Sequence, residues 1–191
     1  EKVPWVPQLG ISYHVGVDGF SLPMVLLGAL VVLAGSLVSW NVDDRPREFF
    51  AFLFILASGV FGVFVSLDLF QLFFFYEIAV FPMYLLIAIW GWIKTREYAA
   101  MKLTLYLLFG SAFILVGILA LYVAGDSSSF SFLEMELTQF NPTLQSWVFL
   151  AFYVGFGVLA GIWPLHTWSP DGHASAPTAV SMLHAGVLMK L

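Results

Sequence analysis

Leu69-Phe70-Gln71-Leu72-Phe73-Phe74-Phe75-Tyr76-Glu77-Ile78-Ala79-Val80-Phe81-Pro82-Met83-Tyr84-Leu85-Leu86-Ile87 is an apolar run long enough to cross a bilayer, with a carboxylic acid near its middle. An ionisable group at that depth costs several kcal/mol unless it has a partner or a water-filled path. Glu77 therefore reads as a functional site on a proton or ion route, with a protonated structural glutamate as the plainer alternative. Counted from Asp68 it lies roughly 12 Å along the helix, near the bilayer midplane. Pro82, five residues on, lacks the N–H that the Ile78 carbonyl would accept, so the helix is expected to kink there and free an acceptor.

The surrounding composition agrees. The 191 residues are 61% hydrophobic, 18% aromatic and 10% charged, against about 25% charged in a soluble domain. This is the composition of an integral membrane protein. With no cysteine, no disulfide framework and no thiolate-held iron–sulfur cluster can be built. A net charge of -5 without a basic tract argues against nucleic acid as a partner.

Phe20 to Trp40, Phe49 to Leu67, Leu69 to Gly91, Ala99 to Val123 and Trp147 to Leu165 each approach the ~20 residues that span a hydrocarbon core. A sixth apolar segment starts at Ala176. The expected fold is all-α, a polytopic bundle of about six spans, one of them near residues 147–175 interrupted. Residues 1–19 read as an extracytoplasmic segment and 20–191 as the transmembrane domain, a piece of a longer chain cut at both ends.

Arg45 and Arg47 fall after the first span, Lys94 and Arg96 after the third, whereas Asp68, Asp126, Glu134 and Glu136 occupy the other connections. The positive-inside rule then puts the basic loops in the cytoplasm and the amino-terminal segment outside, with Lys2 the one dissenting charge. Alternation puts Thr167 to Ser175 inside as well. Around Leu133 to Phe140 the pattern allows a short amphipathic helix. Trp40, Trp90, Trp92 and Trp147 stand at span ends as interfacial anchors.

Lys102 stands one turn inside the fourth span, where it either snorkels to the interface or joins a polar path. Lys190, about 20 Å along its helix from Pro177, is too deep to snorkel easily, so a structural ion pair or a proton relay are its two readings. His166, Asp171 and His173 cluster in a proline-broken segment that lacks a third strong ligand at a fixed helical offset, so a water-lined mouth of a proton path suits them better than a metal. His184 is either a helix-bridging hydrogen-bond group or a relay member. His14 and Asp18 flank the first span, where solvated charges are ordinary.

Phe73-Phe74-Phe75-Tyr76-Glu77, Pro82 to Gly91, the string Pro164-Leu165-His166-Thr167-Trp168-Ser169-Pro170-Asp171-Gly172-His173-Ala174-Ser175-Ala176-Pro177-Thr178 and Ala185-Gly186-Val187-Leu188-Met189-Lys190 resemble the antiporter-like membrane subunits of respiratory complex I, in the subunit M or chain 4 branch. The resemblance covers essentially the whole chain. It implies the third to eighth helices of a fourteen-helix subunit in the cell (inner) membrane, translocating protons while other subunits hold NADH, flavin, iron–sulfur clusters and quinone, with no cofactor in this chain. Neighbouring membrane-arm subunits and the bilayer are the implied partners. The resemblance makes Glu77 the essential glutamate, Lys190 part of the central hydrophilic axis, Lys102 the lysine opening the sixth helix, and Pro164 to Pro170 the break in the seventh. Leu159 departs from the pattern, standing where the family usually has the lysine that modulates the glutamate; His184 or Lys102 is then expected to take over. A cation/proton antiporter or hydrogenase-linked subunit of the same fold, or a spacer with an inactive channel, are the alternative readings.

Overall fold

The computed structural model describes residues 1–125 and 129–190; Asp126, Ser127, Ser128 and Leu191 lie outside the described residues. Among the described residues, five helices are long and apolar enough to cross a membrane: α1 (Ser21–Val38), α2 (Pro46–Val65), α3 (Leu69–Trp90), α4 (Arg96–Ala124) and α6 (Pro142–Ala160). Between the last two lies the single-turn α5 (Phe132–Glu136), and after them come two short helices, α7 (Trp168–Ser175) and α8 (Thr178–Gly186).

The α2, α3 and α4 helices form the packed centre. Phe49, Leu53 and Leu56 of α2, Ala79, Met83, Leu86 and Ile87 of α3, and Leu103 and Leu107 of α4 are sealed from the surroundings. Helices in lipid gain little from apolar burial alone, so close backbone approach carries the association. The α4–α6 crossing shows it: a Cβ on Gly110 would lie 2.9 Å from the Gly155 carbonyl oxygen, and one on Gly155 would lie 2.8 Å from that of Gly110. Gly155→Val is accordingly expected to lower stability by about 2 kcal/mol through overpacking. Gly157→Ala, whose added carbon would meet nothing nearer than 3.5 Å, should leave the thermal midpoint in detergent unchanged.

The helix bounds depart from the hydropathy reading where capping chemistry decides them. Helix α6 starts five residues before Trp147 because the Asn141 side chain accepts from the Thr143 N–H and Pro142 occupies the first turn. It stops at Gly161, whose φ of 71° is left-handed, so the fifth span ends short of Leu165. The sixth apolar segment is helical for nine residues and then tightens into a 3-10 turn at Leu188–Lys190. The α5 turn is shorter than the amphipathic pattern allowed. Trp90, at the end of α3, packs edge-on against Phe49 and donates its indole N–H to the Asp44 carbonyl at 2.7 Å.

An antiparallel hairpin, β1 (Lys2–Val6) with β2 (Ile11–His14), precedes the bundle and departs from the all-helical expectation. Val3 and Val6 against Tyr13 and Ile11 are β-formers, and Gly10 at φ 69° closes the turn. The hairpin sits with α5 and the α2–α3 turn: Val15 bridges Ser66, and Asp68 bridges Ser131. Lys2, the dissenting charge, pairs with Glu134 at 2.9 Å. At the opposite end the basic loop after α3 meets the end of α7, where the Trp92 N–H donates to the Ser175 carbonyl and the Thr95 and Ser175 hydroxyls lie 2.6 Å apart.

Candidate functional site

Proline and glycine break the chain after α6, and that break turns α7 across the bundle toward α4 and α8. Trp168 anchors it: the indole is wholly buried and its N–H donates to the Val158 carbonyl at 2.9 Å. Pinned this way, α7 presents Asp171 and His173 to two neighbours. On the α4 side, Lys102 Nζ donates to Asp171 Oδ2 at 2.7 Å, with side chains 20% and 44% exposed. On the α8 side, the His173 and His184 rings stack at 4.2 Å and 19°, and Trp168 covers the other face of His184 at 5.0 Å and 19°. His173 Nδ1 lies 3.0 Å from the Ser181 hydroxyl.

His184 is fully buried, and neither ring nitrogen has a hydrogen-bond partner among the described residues. Buried polar atoms are ordinarily satisfied, and where protein supplies no partner an ordered water does. His166 Nδ1 is also buried without a partner, on the segment leading into α7. Two contacts thus set four titratable groups in a row on three helices, Lys102 with Asp171 and His173 with His184, the two halves joined only through α7. Each half can hold a proton, the first in an ion pair and the second on an imidazole, and water is needed to carry it from one half to the other.

Two expected residues stand apart from that row. Glu77 is half-buried and lines a groove with Ile55, Phe74, Ile78, Phe81 and Pro82; no ion pair among the described residues includes it. Tyr76, next to it, turns inward and leaves its buried hydroxyl without a partner. Lys190 is exposed, donates to the Ala185 carbonyl and borders a different groove with Asp18, Met24, Phe64 and Leu72. Glu77 and Lys190 thus line separate grooves and make no direct contact with each other. Leu159 lies wholly in the apolar core.

Asp171 is the residue that sequence reading undervalued: it falls in the histidine cluster, but nothing local to it marks Lys102, 69 residues earlier, as its partner. Among the described residues no group of three His, Cys, Asp or Glu could hold a metal ion.

A family model described as NADH:quinone oxidoreductase/Mrp antiporter, transmembrane, matches residues 66–191. The NAD(P)H-quinone oxidoreductase chain 4-2 of Synechocystis sp. is 43% identical over 191 residues, which is the whole of this chain and 34% of that protein. A chain of respiratory complex I from Thermus thermophilus with bound NADH superposes with a TM-score of 0.88 at 26% identity, covering 97% of this chain and 40% of that one. A chain of the Mrp complex from Dietzia sp. DQ12-45-1b superposes at 0.79 with 19% identity, covering 100% of this chain and 21% of that one, a likeness of fold alone. The chain spans about a third of the length of the curated relatives it matches.

Proposed function

This chain belongs to the NADH:quinone oxidoreductase/Mrp antiporter transmembrane family, and we propose that it is part of a proton-translocating membrane-arm subunit of an NAD(P)H:quinone oxidoreductase. It is a multi-pass membrane protein. In this reading residues 1–19 cap the bundle on its outer side, residues 20–191 form part of the translocating domain, and neighbouring membrane-arm subunits are its partners. NADH, flavin, iron–sulfur clusters and quinone belong to other subunits; the lack of any cysteine supports that division for the clusters.

The observation that carries the proposal is the pairing of Lys102 with Asp171 and of His173 with His184 on two sides of α7. Lys102 and Asp171 stand near the basic loops and take up protons from the inner side. Breaking their contact frees a charge next to the His173–His184 stack, and water at the unpartnered nitrogens of His184 carries the proton inward. The pair supplies the cation that Leu159 cannot, so the row fills the role the family gives to the missing lysine. Each charge moved works against about 2.3 kcal/mol per 100 mV, which redox chemistry elsewhere must supply through conformational change.

Glu77 serves the same path from the opposite face. Its carboxyl sits in an open groove flanked by Phe81, 63% exposed, and Phe74, 40% exposed. A carboxylate facing hydrocarbon is costly, so its polar partner comes from a membrane-arm neighbour packed on that groove. Lys190 continues the route beyond α8.

His184→Leu in the full-length protein, assembled in its complex and reconstituted in liposomes, separates this from a packing role. Replacing an unsatisfied buried ring by an apolar side chain is expected to hold or raise the thermal midpoint, while protons moved per NADH fall. Full pumping in both His184→Leu and Lys102→Met would remove the proposal.

A further inference from the structure

Tyr98, Lys102 and Tyr106 stand four residues apart, and so on one face of α4. The middle one pairs with Asp171. On one side of that pair the Tyr98 ring lies 5.5 Å from Lys102 Nζ, and on its deeper side the Tyr106 hydroxyl lies 3.0 Å from that of Thr167. Thr167 and Asp171 are themselves four residues apart, so α7 runs antiparallel to α4, and the two contacts are rungs about 6 Å apart in one register. Turning α7 by one residue, about 100°, would lose both rungs at once.

Thr167 directly precedes the first residue of α7, where a threonine ordinarily folds its hydroxyl back onto a backbone N–H of the first turn. Here its backbone is helical, at φ -66° and ψ -16°, and no side-chain cap bond forms. The hydroxyl reaches the neighbouring helix instead. Tyr106 lies about 15 Å along α4 from Arg96, within the hydrocarbon layer, where a hydroxyl without a partner is costly. Beside the rung, Leu105, Phe109 and Leu165 line an apolar groove, so the two hydroxyls answer each other. Gly172 lets the helices close up between the rungs and α8, since a Cβ there would lie 2.9 Å from Leu103 Cδ1. Trp168 fixes α7 to α6, and Ser175 fixes its far end to the connection before α4. The Tyr106–Thr167 rung fixes the end next to the break to α4 itself.

We propose that Tyr106 and Thr167 are positioning residues for proton uptake: their hydroxyl contact sets the rotation of α7 on α4 and so keeps Asp171 on Lys102. The inference rests on the translocation reading above. Neither hydroxyl gives up or takes a proton in it. His173 leaves α7 two residues after Asp171 and toward α8, so the same rotation also sets its stack on His184. One contact between hydroxyls thereby governs both halves of the row.

The test uses the full-length protein in its assembled complex in liposomes. Thr167→Val keeps the shape of the side chain and strands the Tyr106 hydroxyl; Tyr106→Phe strands that of Thr167. Each should lower proton transfer through this subunit about tenfold, as a displacement of about 1 Å at a transfer step can do, and should lower the thermal midpoint as well. Thr167→Ser keeps the hydroxyl and should transfer as the unaltered protein does. The double variant Tyr106→Phe with Thr167→Val separates positioning from packing: with no polar atom left unanswered the midpoint should return, while transfer stays low. A high-resolution map of that variant should show Lys102 Nζ and Asp171 Oδ2 beyond hydrogen-bond reach. Transfer that recovers along with the midpoint, or a Lys102–Asp171 contact unchanged in the map, overturns the proposal. Lys102→Met and His184→Leu run beside it tell the two readings apart. If they impair transfer while the double variant transfers in full, only the positioning role is wrong; if both transfer in full, the translocation reading fails and the positioning role with it.

Discussion

Glu77→Gln, in the full-length protein assembled in its complex, is expected to reduce proton transfer through this subunit by tenfold or more while leaving NADH oxidation in uncoupled membranes intact. The two side chains match in shape and in hydrogen-bonding reach, so the exchange removes only the ability to bind and release a proton, worth a factor of about a hundred or more at a transfer step. The fold should not suffer. Glu77 lines an apolar groove with Ile55, Phe74, Ile78, Phe81 and Pro82, and a neutral amide costs less there than a carboxylate, so the thermal midpoint should hold or rise. Protons moved per NADH in liposomes is the measurement. An undiminished ratio would favour the silent-spacer reading, which Leu159, buried in the apolar core, makes a real competitor.

The spans are readable from sequence because lipid imposes one dominant demand: backbone groups must be satisfied within the segment. Hydropathy therefore finds α1, α2, α3, α4 and α6. It does not find their ends, which local polar chemistry decides. Asn141-Pro142 before α6 was a legible cap that hydropathy overrode. Asp68 likewise reads only as an acid in a connection between spans, whereas its carboxylate both caps α3 and receives Ser12 from 56 residues away, a pairing no local pattern contains.

The candidate site divides along the same line. Lys102, His173 and His184 stand out as ionisable groups within apolar sequence, and the structure brings the first to one side of α7 and joins the other two on its second side. Their order in the row depends on where the broken segment lays α7, hence on Trp168 reaching the Val158 carbonyl. Glu77 shows the converse: its depth follows from helical rise, but the direction it faces does not. Helix α3 is apolar on every side, so no hydrophobic stripe marks which face meets the bundle.

Asp68→Ala is expected to be the most destabilising single change at the outer end, by about 3–7 kcal/mol. Four donors lose their acceptor together: the N–H and hydroxyl of Ser12 and the N–H groups of Phe70 and Gln71. Loss of the two cap bonds at α3 amounts to about 1 kcal/mol. The two Ser12 donors are buried, and stranding each away from water costs about 1–3 kcal/mol. Asp68→Asn keeps one acceptor oxygen and should cost roughly half as much. Lys2→Ala is the contrasting control, because both members of the Lys2–Glu134 pair are nearly half exposed, and such pairs contribute at most about 1 kcal/mol. Limited proteolysis should then cut residues 1–19 readily in Asp68→Ala and slowly in Lys2→Ala, while the thermal midpoint in detergent falls in the first and holds in the second. Equal resistance in the two would mean that Val15 on Ser66 and Asp68 on Ser131, both backbone bridges that the alanine leaves in place, hold the hairpin without the carboxylate.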